Sequence, residues 1–232
     1  MNHIYIHFLL LCILFYSIFS KKGIARINLE EFSAKENKMC CVFVSNKKYF
    51  SKFLETCQQL ITNGKYNGDI CLVIGNDLKD DILLKEKIIQ NNNIIIKYFP
   101  DIEFPDNFYR INKTLKTDGR NTTKKFQWHK MYLFDTYFKQ WDTIFYMDCG
   151  MKILDDISPM LKINNTNLLY AHSDAYPTYE RKLTTQFDSS KTKIYENLTK
   201  KYNLDNDYFQ TGILLYHTNI IEKNTFNNLI NL

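Results

Sequence analysis

Thr143-Ile144-Phe145-Tyr146-Met147-Asp148-Cys149-Gly150 is a short apolar run that ends in an acid. Its length and its β-branched and aromatic content predict a buried strand over Thr143–Asp148, with a carboxylate at the C-terminal end. In open α/β sheets, ligands bind beyond that end of the strands. A carboxylate there can hold a divalent cation, and a lysine nearby can hold phosphate. An aromatic segment containing Lys130 leads into the run.

Working outward, the flanking sequence alternates strand and helix signals. Met39–Ser45 reads as a buried first strand. Tyr49–Thr62 carries Phe50, Phe53, Leu54, Cys57, Leu60 and Ile61 at helical spacing, with Gly64 as the stop. Asp69–Gly75 is a second strand, Leu78–Gln90 a helix, and Ile94–Phe99 a third strand ended by Pro100. Strand, helix, strand, helix, strand is the order of a parallel sheet covered by helices. Pro100–Lys124 is polar and irregular, a loop long enough to suggest function. Lys125–Gln140 then reads as an aromatic helix. After the Asp148 strand come a turn into a short helix at Asp155–Pro159, a strand at Leu168–Ala171, a polar and partly helical stretch at Tyr176–Asp207, and a last strand at Gly212–His217.

At 232 residues, the simplest organisation is one α/β domain after an N-terminal leader. Residues 1–20 contain no Asp, Glu, Lys or Arg and run into Lys21 and Lys22. This predicts a signal peptide or a signal anchor, either of which sends the rest into the secretory route. The products would be a lumenal type II membrane protein of the endoplasmic reticulum or Golgi, or a secreted one. A buried N-terminal helix is the bland alternative. Residues 21–38 resemble a stem. Four N-x-[ST] sequons, at Asn112, Asn121, Asn164 and Asn197, fit a lumenal address. The cysteines show no C-x-x-C spacing, which excludes a zinc pattern, and Cys41 and Cys71 sit in core-like runs. The net charge of +5 comes from dispersed lysines rather than a stripe, which argues against nucleic acid and suits a phosphorylated ligand.

Lys130 has Phe126, Leu133, Phe134, Tyr137 and Phe138 at helical offsets, so it falls on an apolar face. A lysine there either snorkels to the surface or pairs with an anion in a pocket. Asp148, confined at a strand end, needs a cation, an arginine or backbone donors, or else caps the following turn.

These residues resemble glycosyltransferase family 8, the glycogenin-like and galactinol-synthase-like enzymes. The resemblance runs through Lys130-Met131-Tyr132-Leu133-Phe134, through Tyr146–Leu154 with Ile157, through Ala171–Pro177, and through Tyr208–Tyr216, in the family's order. It covers Met39 to the C-terminus and implies a GT-A fold, a Rossmann-like, mostly parallel α/β sheet flanked by helices. It further implies transfer of a sugar from a nucleotide-sugar donor, a UDP-sugar above all, to a glycan, protein or small-molecule acceptor, with retention of configuration. Lys130 would contact the donor diphosphate. Asp148, from the family's Asp-x-Asp motif, would hold Mn²⁺ or Mg²⁺. Gln210 would orient the sugar near its anomeric carbon, so that Asp148 and Gln210 are the expected catalytic residues. Val44, Ser45 and Asn46 would meet the nucleoside, and Asp174 and Gly212 complete the donor-binding set.

The chain departs from the family in two of these places. Gly150 replaces the second Asp, and Gln210 replaces an Asn. Its sequence also stops at Leu232, ahead of the family's Asp-Gln segment and late metal-binding His. The expected consequences are a truncated chain, a metal held by Asp148 together with substrate oxygens, or a degenerate, non-catalytic binding module. No G-x-G-x-x-G follows the first strand, which argues against a dinucleotide-dependent oxidoreductase.

Overall fold

In a computed structural model, residues 38–104, 125–173, 181–186 and 192–230 are described. Among them, six strands form one sheet: β1 (Met39–Ser45), β2 (Asp69–Ile74), β3 (Ile95–Tyr98), β4 (Thr143–Met147), β5 (Leu169–Ser173) and β6 (Phe209–His217). Their order is β3-β2-β1-β4-β6-β5. The first four strands are parallel, and β6 runs antiparallel to both β4 and β5. The expected mixed, mostly parallel α/β sheet with flanking helices is what the chain forms.

Two-residue alternation sends each strand's side chains to two cores. Cys40, Val42, Val44, Cys71, Val73, Ile144, Tyr146, Leu214 and Tyr216 face one layer. That layer holds Trp128, Leu133, Phe134, Phe138 and the C-terminal helix α5 (Thr225–Ile230). Cys41, Phe43, Leu72, Ile74, Phe145 and Met147 face the other, where helix α1 (Phe50–Thr62) inserts Phe50, Phe53, Cys57 and Leu60. The core positions expected for Cys41 and Cys71 hold, since both are fully buried. The five cysteines of the described residues are free thiols. A third, smaller cluster of Leu183, Leu198, Leu204 and Tyr208 joins helix α4 (Thr192–Lys201) to the approach to β6.

Two expected helices take a different form. Lys125–Gln140 is two 3-10 segments, Lys125–Phe134 and Thr136–Gln140, rather than one α-helix. The break is Asp135, which is extended and whose carboxylate accepts from Tyr137 N at 2.8 Å. Leu78–Gln90 is a 3-10 turn over Ile82–Lys85 followed by the short helix α2 (Lys87–Asn91). The cause is the same: Asp81 is extended and accepts from Leu83 N at 3.0 Å. In both places a short acidic side chain satisfies a backbone donor that a continuous helix would have bonded internally. The short helix expected near Pro159 is present as α3 (Ser158–Leu161). The last strand begins at Phe209, three residues earlier than expected, because Phe209 and Gln210 pair with Ser173 and His172 of β5. The leader, most of the stem, nearly all of the Pro100–Lys124 loop and Asp174 lie outside the described residues. No helix among the described residues is long and apolar enough to cross a membrane.

His129 is fully buried beside the sheet, with Nε2 3.3 Å from Phe99 O and 3.6 Å from Asp101 Oδ1. Burial pulls its pKa below the usual 6.5, against the opposing pull of Phe99 O and Asp101. The folded protein therefore holds the ring neutral, whereas the unfolded chain takes up a proton near pH 6.5. Unfolded molecules then bind more protons, so this contribution is complete above that pH and is lost as pH falls toward the folded pKa. Thermal melts between about pH 5 and pH 7.5 should show that slope. They should show a flatter one in His129→Gln.

Candidate functional site

Strand order reverses between β1 and β4. β1 is followed outward by β2 and β3, while β4 leads to the opposite side of the sheet. The crevice at such a switch point is where α/β sheets bind ligands. Here it is a cleft of about 250 Å³ walled by Val44, Asn46 and Tyr49 after β1, by Tyr146, Asp148 and Cys149 at the end of β4, and by Phe126, Gln127 and Lys130 of the first 3-10 segment.

Lys130 and Asp148 meet directly, with Nζ 2.7 Å from Oδ1. The Lys130 side chain is 18% exposed and that of Asp148 41%. The pair therefore sits at the mouth of the cleft rather than in the core. Lys130 also reaches Thr211 O at 3.4 Å, and its ammonium lies 5.5 Å from the Tyr146 ring centroid. The flanking residues Trp128, His129, Met131 and Tyr132 are buried, and this fixes the backbone from which the lysine projects. The apolar helical face expected for Lys130 is thus a 3-10 turn, and its partner is the carboxylate at the β4 end.

Tyr146 precedes Asp148 by two residues and so shares its face of the sheet. Its hydroxyl is fully buried and donates to the same oxygen, Oδ1. Burial, reinforced by the charge of Asp148, holds this phenol well above its usual range, so it stays a donor. Asp148 N donates to Gly212 O at 2.8 Å, fastening the end of β4 to β6. Burial pushes the Cys149 thiol up to about 12, leaving it protonated, with Sγ 3.4 Å from Val44 O.

The segment after Asp148 is clamped by one polar row of α1. Gly150 N donates to Thr56 Oγ1 at 2.9 Å, and that hydroxyl donates to Met151 O at 3.1 Å. Ile153 N donates to Gln59 Oε1 at 2.9 Å, and Asn63 Nδ2 donates to Ile153 O at 2.8 Å. Gly150 itself has φ +93°, a conformation that L side chains rarely adopt.

Of the residues expected from the sequence, Val44, Asn46, Lys130 and Asp148 come together in the cleft wall. Ser45 does not line it. It is fully buried beneath, and its hydroxyl donates to Asn46 O at 3.1 Å. Gly212 lies beside the wall, opposite Asp148. Gln210 is exposed farther along β6, beyond a register shift in its pairing with β5 and outside the wall. Tyr49, Phe126, Gln127, Tyr146 and Cys149 line the cleft without having been singled out as site residues. Two-residue alternation back from Asp148 is the signal that marks Tyr146.

By sequence, neither a family profile nor a curated protein matches the chain. By fold, it is similar to the bifunctional glycosyltransferase WbbM, with a TM-score of 0.53 at 16% identity over 87% of this chain. It spans only 35% of WbbM. It is also similar to core-mannan synthase A (CmsA/Ktr4) from Aspergillus fumigatus in its Mn/GDP form. There the TM-score is 0.51 at 11% identity, over 92% of this chain and 72% of that one. At such identities the likeness concerns the fold, which is that of GT-A-like glycosyltransferases. The resemblance to family 8 rests on the sequence motifs alone.

Proposed function

We propose that the chain is a glycosyltransferase that takes a nucleotide-sugar, a UDP-sugar in the first instance, in the cleft between β1 and β4. The observation that carries this reading is the convergence of Lys130, the end of β1 and the end of β4 at the switch point of a GT-A-like sheet. Val44, Asn46 and Tyr49 would take the nucleoside, with the Tyr49 ring as a stacking surface. Lys130 would take the diphosphate. In the reaction, the bond from the anomeric carbon to the β-phosphate oxygen breaks, and a bond to an acceptor oxygen forms. The acceptor proton is released, and the nucleoside diphosphate departs carrying the bond's electrons. Lys130 stabilises that developing negative charge. Gln210 and Gly212 would border the sugar, and Asp174 belongs to the same expected donor set. Retention of configuration belongs to the same proposal, as do a lumenal location reached through the leader and a glycan, protein or small-molecule acceptor.

Mn²⁺ at Asp148 is the cofactor the motif implies, and it would neutralise phosphate charge when bound. A hard divalent ion takes about six oxygen ligands. Among the described residues, no group of three or more His, Cys, Asp or Glu could hold a metal, and Asp148 is already engaged by Lys130 and Tyr146. This donor set does not fit a resident ion.

A thermal-shift titration of the full chain with UDP- and GDP-sugars tests the reading. A ligand at about 100 times its dissociation constant should add about 2.7 kcal/mol of stability. The absence of any shift across the panel would overturn the donor site. Gly150, in place of a second carboxylate, favours one other reading, a non-catalytic module. Stabilisation by a nucleotide-sugar without any release of nucleoside diphosphate would select it.

A further inference from the structure

We infer that this site neutralises the donor diphosphate with lysine ammonium groups, Lys130 and Lys52, in place of a protein-bound divalent cation. The inference rests on the donor-site reading above and concerns how that site handles charge.

Asp148 Oδ1, the oxygen an Asp-x-Asp site would offer a metal, receives both the Lys130 ammonium at 2.7 Å and the Tyr146 hydroxyl. A cation on that oxygen would meet a like charge at contact distance.

Gly150 stands where the motif's second carboxylate would be. A Cβ built on Gly150 comes 3.2 Å from Lys52 Cδ, with Cβ and Cγ of the same lysine also within 4 Å. The space beside Gly150 is therefore occupied by the stem of a lysine. The backbone there, at φ +93°, also disfavours any residue with a side chain.

Lys52 Nζ lies 5.2 Å from the Tyr49 ring centroid, and Tyr49 lines the cleft. One ammonium thus stands at the mouth, on Asp148, and another lies over a ring that lines it. In this arrangement Asp148 is a positioning residue. It holds Lys130 aimed at the cleft and gives it up to phosphate when the donor enters.

The sign of one mutation separates the two designs. If Asp148 carries a metal, Asp148→Asn removes donor binding. If Asp148 is a competitor for Lys130, the same change frees the ammonium and removes a like charge beside the phosphates. Calorimetric titration of the full chain with UDP, GDP and UDP-glucose, in EDTA and in Mn²⁺, reads the difference. The expected result is binding in EDTA that Mn²⁺ alters by no more than about twofold. Asp148→Asn should then bind as tightly or about threefold tighter. Lys52→Met, which keeps the stem over Gly150, should bind about fivefold more weakly through the loss of a rim charge. Melting temperatures of the free variants establish that they fold. Binding that needs Mn²⁺ and vanishes in Asp148→Asn would overturn the inference and leave the donor site standing. Binding of no nucleotide under either condition would instead overturn the donor site itself.

Discussion

Lys130→Ala is expected to lower the rate of nucleoside diphosphate release from the donor, as kcat/KM, by about two to three orders of magnitude. That is the range seen when one preorganised donor to a developing anion is removed. The expectation follows from geometry. Lys130 is held by Asp148 at 2.7 Å and by Thr211 O at 3.4 Å, so its direction is set before any ligand arrives. Its backbone cannot shift to compensate, because His129, Met131 and Leu133 are locked in the core. Stability should change far less. The pair is partly exposed, at 18% and 41%, and pairs of that kind contribute about 1 kcal/mol or less. A variant that melts near the wild-type temperature but no longer releases nucleotide is the expected outcome. Lys130→Arg should recover only part of the activity, because a planar guanidinium does not reproduce a point charge in the same space. An inactive variant that is also unfolded would show that Lys130 is a packing residue.

Phe53→Ala should cost about 3–5 kcal/mol of stability, the usual loss when a buried phenylalanine leaves a cavity. For a domain of this size that lowers the melting temperature by roughly 10 °C. Phe53 is fully buried, lies edge-on to Phe43 at 5.3 Å and packs against Phe50 at 5.7 Å. It stands on α1, the helix whose Thr56, Gln59 and Asn63 hold the segment after Asp148. The damage should therefore reach the site, with donor affinity falling even below the new melting temperature. Leu54→Ala, from a half-buried position on the same helix, should show a much smaller effect on both. Equal losses at the two positions would mean that α1 is anchored through something other than the Phe43–Phe53 contact.

The strands were legible because they are buried on both faces, and burial writes itself as unbroken apolar sequence. Met39–Ser45, Asp69–Ile74 and Thr143–Met147 stand within a residue of where the sequence puts them. Helix α1 was legible through its apolar spacing. The segments around Lys125–Gln140 and Leu78–Gln90 were misread for one reason. Their apolar residues recur at three- and four-residue intervals, which suits a 3-10 turn as well as an α-helix. The residues that decide between them are Asp135 and Asp81, whose side chains capture backbone donors two positions ahead. An aspartate inside an aromatic run is a weak signal on the page and a strong one in three dimensions. Lys130 and Asp148 could be nominated from sequence, but their contact could not. It depends on a 3-10 segment crossing the end of β4, and no local pattern records that crossing. The clamp from Thr56, Gln59 and Asn63 was invisible for the same reason, although these residues share one face of α1.

The bond between Lys130 and Asp148 also bears on which anions the cleft can recruit. A bare ammonium would draw chloride, free phosphate or any passing carboxylate. Here the ammonium already has a counter-ion attached to the protein, so a visitor must displace a partner whose effective concentration is high and which cannot diffuse away. A lone phosphate offers only an exchange of one ionic contact for another. A ligand that also lays a base against Tyr49 and Asn46 brings a surplus. Asp148 thus sets a threshold for entry, and the cleft discriminates by how many places a molecule can grip at once.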